Sequence, residues 1–170
     1  NALPEMSILN PSDSNSAKYC SDLILNTKKP FYVRLDKGVH PMIHNFEKFE
    51  SFEIIKPIQK TTILSTGTIV SNVIEATKNI MNVGLIDIVK LKPFPSEIIK
   101  LLENTDNVIV IEEHSKSGGL ASIFNDVAAE NNFTTKLNFI GFENKQLLEY
   151  GSREWFHKEA KIDIKSLTEK

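Results

Sequence analysis

The sequence predicts an α/β protein: a three-layer αβα sandwich around a mostly parallel sheet, preceded by a partial βαβ unit. Three observations support that class. From Thr61 onward, apolar runs of strand length alternate with segments whose apolar residues recur every three or four positions. "NVIVIEE" has the composition of a buried strand and is followed by a glycine pair and a new helical pattern. The chain has 170 residues, 41% of them hydrophobic, which is enough to build a core for one domain, or one domain and a piece of another.

The elements follow in order. Met6 to Leu9 is a short apolar run stopped by Pro11, and Ser12 or Asp13 can cap a helix by accepting backbone N–H bonds. Ala17, Cys20 and Ile24 mark one face of that helix, which ends at "KKP" before the β-rich run Phe31 to Leu35. Strand, helix and strand within thirty residues make a βαβ unit without further strands of its kind in front of it. Asp36 to Lys60 has weak periodicity, two His, two Pro and several Phe, and reads as an extended linker lying on a surface.

"TTILST" is then a strand, Gly67 a turn, and Ile69, Val73, Ala76 and Ile80 one face of a helix. "VGLIDIVKL" reads as a single strand. In "KPFPSEIIKLLENT" a short helix turns Ile98, Ile99, Leu101 and Leu102 inward, and "NVIVIEE" returns to the sheet. Leu120, Ile123, Phe124 and Val127 define the next helix, "TKLNFIGF" a further strand, Lys145 to Tyr150 a short helix, and the residues after Ile162 a last one.

A formal charge of -2, with both signs mixed along the chain, gives no reason to expect nucleic acid or an anionic membrane as partner, and leaves small anionic ligands open. No apolar run approaches the ~20 residues that span a bilayer. The single Cys20 cannot form an internal disulfide and reads as a reduced cytoplasmic thiol packed as a small residue. "NALPEM" carries no initiator Met and resembles a tag scar on an excised piece.

Two stretches carry candidate chemistry. "EEHSKSGG" lies at the carboxyl end of a strand and before a helix, where open α/β sheets bind ligands. Anion binding at the helix start, metal binding by Glu112, Glu113 and His114, and acid/base work by Glu113 with His114 are all conceivable. Against them, adjacent carboxylates oppose an anion, and successive strand residues point to opposite faces. The favoured reading is a turn in which Gly118 and Gly119 supply a positive φ or a close approach while the charges are solvated at the rim. His40 and His44 stand at metal-ligand spacing, but Pro41 between them breaks the helix they would need, so they read as exposed linker histidines. Arg34, ending "FYVRL", can grip a phosphate or carboxylate with two bonds, or form a surface ion pair.

Taken in order, "LPEMSILNPSDS", "KKPFYVRLDKG", "LSTGTIVSNVIEA", "VGLIDIVKLKPFPSEII" and "VIVIEEHSKSGGLASIFNDVAAE" resemble the C-terminal part of transketolase-like thiamine diphosphate enzymes. Within that superfamily the Glu-Glu-His and Gly-Gly-Leu most resemble transketolases whose C-terminal half is a separate subunit. 1-Deoxyxylulose-5-phosphate synthases and 2-oxo acid dehydrogenase beta subunits follow. The resemblance implies that residues 1–38 end the pyrimidine-binding domain, 39–60 link, and 61–170 form the transketolase C-terminal domain. It implies a parent enzyme that moves a two-carbon ketol unit between phosphosugars with thiamine diphosphate and Mg2+. The cofactor-activating Glu and His of the family lie upstream of "LPEM", so no cofactor or metal is expected in this chain. Arg34 matches the arginine that binds the substrate phosphate in family members. A homodimer, and association with a pyrophosphate-binding domain or subunit, are the implied partners; a non-catalytic dimerisation module is the rival reading.

Overall fold

The computed structural model describes residues 2–45, 51–144 and 146–169. Two sheets organise them. The smaller contains β1 (Ser7–Leu9), β2 (Phe31–Val33) and β6 (Lys90–Lys92) in the order β2-β1-β6. The larger contains β3 (Phe52–Lys56), β4 (Thr61–Ser65), β5 (Val83–Ile88), β7 (Asn107–Ser115) and β8 (Lys136–Phe142) in the order β3-β5-β4-β7-β8. β4 runs parallel to both β5 and β7, and β7 parallel to β8; only the edge strand β3 is antiparallel. The expected mostly parallel sheet is therefore present.

Side-chain alternation divides that sheet between two cores. Leu64 lies beside Ile86 and Val110 in register, and this row packs under α3 (Glu97–Leu101) and α4 (Leu120–Glu130) through Ile98, Leu120 and Phe124. Ile63 lies beside Leu85 and Ile109, and this row faces α2 (Val70–Thr77) and α6 (Ile164–Thr168) through Val73, Ala76 and Leu167. Helices on both faces give three layers, the arrangement that lets parallel strands be apolar on both sides.

The front unit is less isolated than its sequence suggests. β1, α1 (Ser14–Leu25) and β2 form the expected parallel βαβ, with Asp13 capping α1 by accepting from Ser16 N at 2.8 Å. "VGLIDIVKL" does not stay in one sheet, however: it breaks at Val89 and continues as β6, which pairs antiparallel with β1. Val89 packs with Leu9 and Cys20 in a third small core. One continuous chain segment thus belongs to both sheets and ties them together.

Other expectations need correction. The linker reading of 36–60 misses β3, whose Phe52 and Ile55 reach opposite cores while Ile54 is exposed, the half-buried pattern of an edge strand. Residues 46–50 of that stretch lie outside the described set. Leu101 and Ile80 point partly to solvent: Ile98, Ile99 and Leu102 take the buried face of α3 and leave Leu101 beside it, and Ile80 lies beyond the end of α2. Residues 146–150 are not helical, and Lys145 lies outside the described residues. A helix not foreseen, α5 (Arg153–Glu159), starts from a Ser152 cap.

Candidate functional site

The carboxyl ends of the parallel strands converge between the two sheets. Asn10 follows β1, Arg34 follows β2, Thr66 to Thr68 follow β4, Asp87 lies near the end of β5, and Glu112 to His114 close β7. A cleft of about 290 Å³ opens there, lined by Asn10, Arg34 and His114 on its polar side and by Ile8, Tyr32 and Leu91 among its apolar walls.

Adjacent carboxylates on β7 separate as strand geometry requires, but neither is solvated at a rim. Glu112 is fully buried on the α4 face. Its two oxygens accept from Leu120 N at 2.7 Å and Ala121 N at 2.9 Å, so the acid neutralises the positive end of α4 and satisfies two N–H groups that the helix cannot pair. The glycine pair makes this possible. Gly118 has φ +84, and a Cβ on Gly119 would collide with the Glu112 carboxylate. His114 keeps Nδ1 3.3 Å from the same carboxylate and lines the cleft. The anion-binding reading of this helix start fails because Glu112 already occupies it.

Glu113 points to the other face. Arg153 donates Nε to its Oε1 at 2.8 Å, Arg153 Nη2 donates to its Oε2, and the His157 Nε2 edge also meets Oε1. Arg153 and His157 stand four apart on α5, so both side chains leave the same helix face. Burial opposes ionisation of Glu113, yet hydrogen bonds from His157 and Arg153 and their charges outweigh it and bring its pKa down to about 2. Acid/base work with His114 is thereby excluded for this geometry, since Glu113 is committed to α5 and faces away from His114. The three-ligand metal reading of Glu112, Glu113 and His114 fails for the same reason. Among the described residues, no group of three or more His, Cys, Asp or Glu side chains could hold a metal ion.

Arg34 sits beside this network. Its Nη2 lies 3.0 Å from Asp36 Oδ1 and 4.0 Å from Glu113 Oε2, and its side chain retains 27% exposure toward the cleft. Asp36 bridges onward to Arg153 Nη2 at 3.1 Å and accepts from Thr68 Oγ1 at 2.8 Å.

A third cluster overturns the exposed reading of His44. Its side chain is fully buried, with Nδ1 3.2 Å from Asp13 Oδ1 and Nε2 3.0 Å from Asp87 Oδ2. Ser12 Oγ donates to Asp87, and Asp13 Oδ2 accepts from Ile43 N and His44 N at 2.7 and 2.8 Å. His40 is only half-buried and stands apart from this cluster, so the two histidines share no metal. Cys20 is buried in the neighbouring small core, and burial with the Asp87 charge pushes its thiol up to about 12, consistent with a packing residue.

Sequence patterns do not by themselves single out Asp36, Asp87, Arg153 and His157. Two signals point toward them: a lone carboxylate inside the apolar run "LIDIV", which needs a buried partner, and the Arg-His pair at i, i+4 spacing.

Comparison with known proteins matches residues 51–165 to the family described as transketolase, C-terminal domain. A protein of Methanocaldococcus jannaschii named as a transketolase C-terminal section is 29% identical over 171 residues, spanning 95% of this chain and 50% of that protein. One subunit of an apulose-4-phosphate transketolase from Phocaeicola vulgatus is 26% identical, spanning 90% of this chain and 51% of its own length. A 1-deoxy-D-xylulose-5-phosphate synthase of Vibrio parahaemolyticus is 29% identical over 97% of this chain and 27% of its own. The chain therefore spans about half, or less, of the curated relatives it matches. A solved split-gene transketolase, described as an inactive beta4 tetramer, shares the fold with a TM-score of 0.89 at 21% identity, covering 99% of this chain and 57% of that one.

Proposed function

The chain belongs to the transketolase C-terminal domain family, and from that premise we propose that it is the C-terminal portion of a transketolase-like enzyme that moves a two-carbon ketol unit between phosphosugars. The observation that carries the reading is Arg34: a guanidinium at the carboxyl end of a parallel strand, lining a cleft, is suited to a phosphate. In this proposal residues 1–38 complete a pyrimidine-binding domain, 39–60 lead out of it, and 61–170 serve association with the remaining subunit or domain. A relative named as one subunit of its enzyme and a tetramer among the related structures support a partner; a homodimer of this portion is part of the same proposal.

Thiamine diphosphate and Mg2+ are the cofactors of such a parent, where the thiazolium would act as the electron sink for the ketol carbon. The described residues do not fit that pair of groups: they offer no metal-ligand cluster, and their buried acids are already committed to α4, Arg153 and His44. This chain's part is therefore to bind and orient the phosphorylated end of the substrate, and the isolated chain is expected to be inactive.

The test uses the complete enzyme. Arg34→Ala removes a charge-assisted pair that contributes roughly 1.5–3 kcal/mol, which corresponds to a rise in KM for phosphorylated substrates of roughly ten- to a hundredfold. An unchanged KM would remove Arg34 from the site. A 1-deoxyxylulose-5-phosphate synthase parent is the second reading, favoured by the Vibrio relative that spans 97% of this chain; a 2-oxo acid dehydrogenase parent has no such support among the relatives named above.

A further inference from the structure

Arg34 faces two carboxylates, which is a poor setting for an anion unless something else neutralises them. Asp36 lies 3.0 Å and Glu113 4.0 Å from the same Arg34 nitrogen. Both acids are bound a second time by Arg153, through Nη2 to Asp36 Oδ2 at 3.1 Å and through Nε to Glu113 Oε1 at 2.8 Å. Thr68 Oγ1 touches both acids as well, at 2.8 Å from Asp36 and 3.4 Å from Glu113, and also meets Arg153 Nη2. His157 occupies Glu113 from the far side, with its other ring nitrogen 3.2 Å from Asn72 Nδ2.

The charge balance follows from these contacts. Two carboxylates and two guanidiniums sum to zero around Arg34. Remove Arg153, and the two acids outnumber the remaining guanidinium, so Arg34 is drawn from the cleft toward Glu113 and the local potential turns against an anion. With Arg153 present, Arg34 needs only one terminal nitrogen for Asp36, and its other donors are available on the cleft side.

We propose that Arg153 is a positioning residue for the substrate's phosphate: by holding Asp36 and Glu113, it keeps Arg34 free to bind the dianionic end of a phosphorylated substrate. The inference rests on the reading of Arg34 given above. Nothing in local sequence connects these groups, since Arg153 lies 117 positions from Asp36 and reaches it from the first residue of α5. A residue with only a structural role would lower activity toward all substrates alike. A residue that sets the charge around Arg34 discriminates phosphorylated from unphosphorylated ones.

The experiment compares kcat/KM for a phosphorylated acceptor and its unphosphorylated counterpart in the complete enzyme, for wild type and for R34A, R153Q, E113Q and R153Q/E113Q. For R153Q the selectivity for the phosphorylated acceptor should fall about tenfold, through KM. In the double variant, which removes the surplus negative charge, selectivity should return to within about threefold of wild type. E113Q alone should lower KM for the phosphorylated acceptor, and this arm stands even if R153Q fails to fold. An equal loss on both acceptors that E113Q does not reverse, or an E113Q enzyme whose KM stays the same or rises, would overturn the role of Arg153. If R34A leaves selectivity intact, it is the Arg34 reading that fails; if R34A loses selectivity while R153Q keeps it, only the present inference does.

Discussion

His44 makes stability depend on pH in a window where few other groups titrate. The imidazole is fully buried, 3.2 Å from Asp13 and 3.0 Å from Asp87, with Glu53 3.6 Å from its Nε2. Burial alone would lower its pKa, but the hydrogen bonds and charges of Asp13 and Asp87 prevail and raise it from 6.5 to about 9. A group whose folded pKa is raised contributes stability that is fully present below its unfolded value and is lost as pH rises through the folded one. The window is therefore pH 6.5 to 9. A shift of that size corresponds to about 3 kcal/mol, at roughly 1.4 kcal/mol per pH unit.

That is a large share of a typical domain's stability of about 5–15 kcal/mol. The assay is urea unfolding of the chain at pH 6, 7.5 and 9, for wild type and His44→Gln. Wild type should lose stability steadily across the series, and the variant should start lower at pH 6 and lose much less. Cys20 adds little to the result, because its own loss begins only as pH passes its unfolded value of 9.0 and runs toward its folded value of about 12. Parallel slopes for the two proteins would refute the reasoning, since they would show that His44 is not the group whose proton folding retains.

Three further outcomes follow from the same structure. Glu113, whose pKa falls from 4.5 to about 2, contributes stability present above pH 4.5 and lost as pH falls toward 2; Glu113→Gln should remove about 3 kcal/mol of that acid dependence in denaturant titrations. Glu112→Gln leaves one of the two α4 N–H groups facing an amide donor and removes the charge on the helix end, so chemical unfolding should show a loss of about 2–4 kcal/mol; a loss below about 1 kcal/mol would mean the cap is dispensable. A chain starting at Thr61 loses β3, β1 and the partners of Asp87, and light scattering should find it aggregating at concentrations where residues 1–170 remain dispersed.

What the sequence reveals and what it hides divides along physical lines. Strands β4, β5 and β7 and helices α2 and α4 are legible because each is governed by one dominant local signal, an apolar run or an apolar face. The opposite orientation of Glu112 and Glu113 is legible too, as a consequence of strand alternation. The fates of these acids are not. Glu112 finds its partners eight and nine residues on, across a turn that only Gly118 and Gly119 permit, and Glu113 finds its own forty and forty-four residues on. β3 escapes notice because an edge strand needs only half the apolar residues of a central one. His44 escapes because two acids from different elements, Asp13 and Asp87, outweigh its polar surroundings only after the chain has folded.

Several of these hidden contacts join the front unit to the larger sheet. Asp87 belongs to β5, while Ser12 and Asp13 precede α1; Asp36 follows β2, while Glu113 and Arg153 lie on β7 and α5. β6 continues β5 directly into the front sheet. Buried charges are costly unless paired, so every one of these pairs requires both sides to be in place at once. Arg34 consequently has no independent position. It is set by Asp36, which is set by Arg153 and Thr68, and those two are anchored on α5 and just before α2, beside the larger sheet. Under the proposed function, the larger sheet and its helices would in this way determine where Arg34 holds the substrate's phosphate.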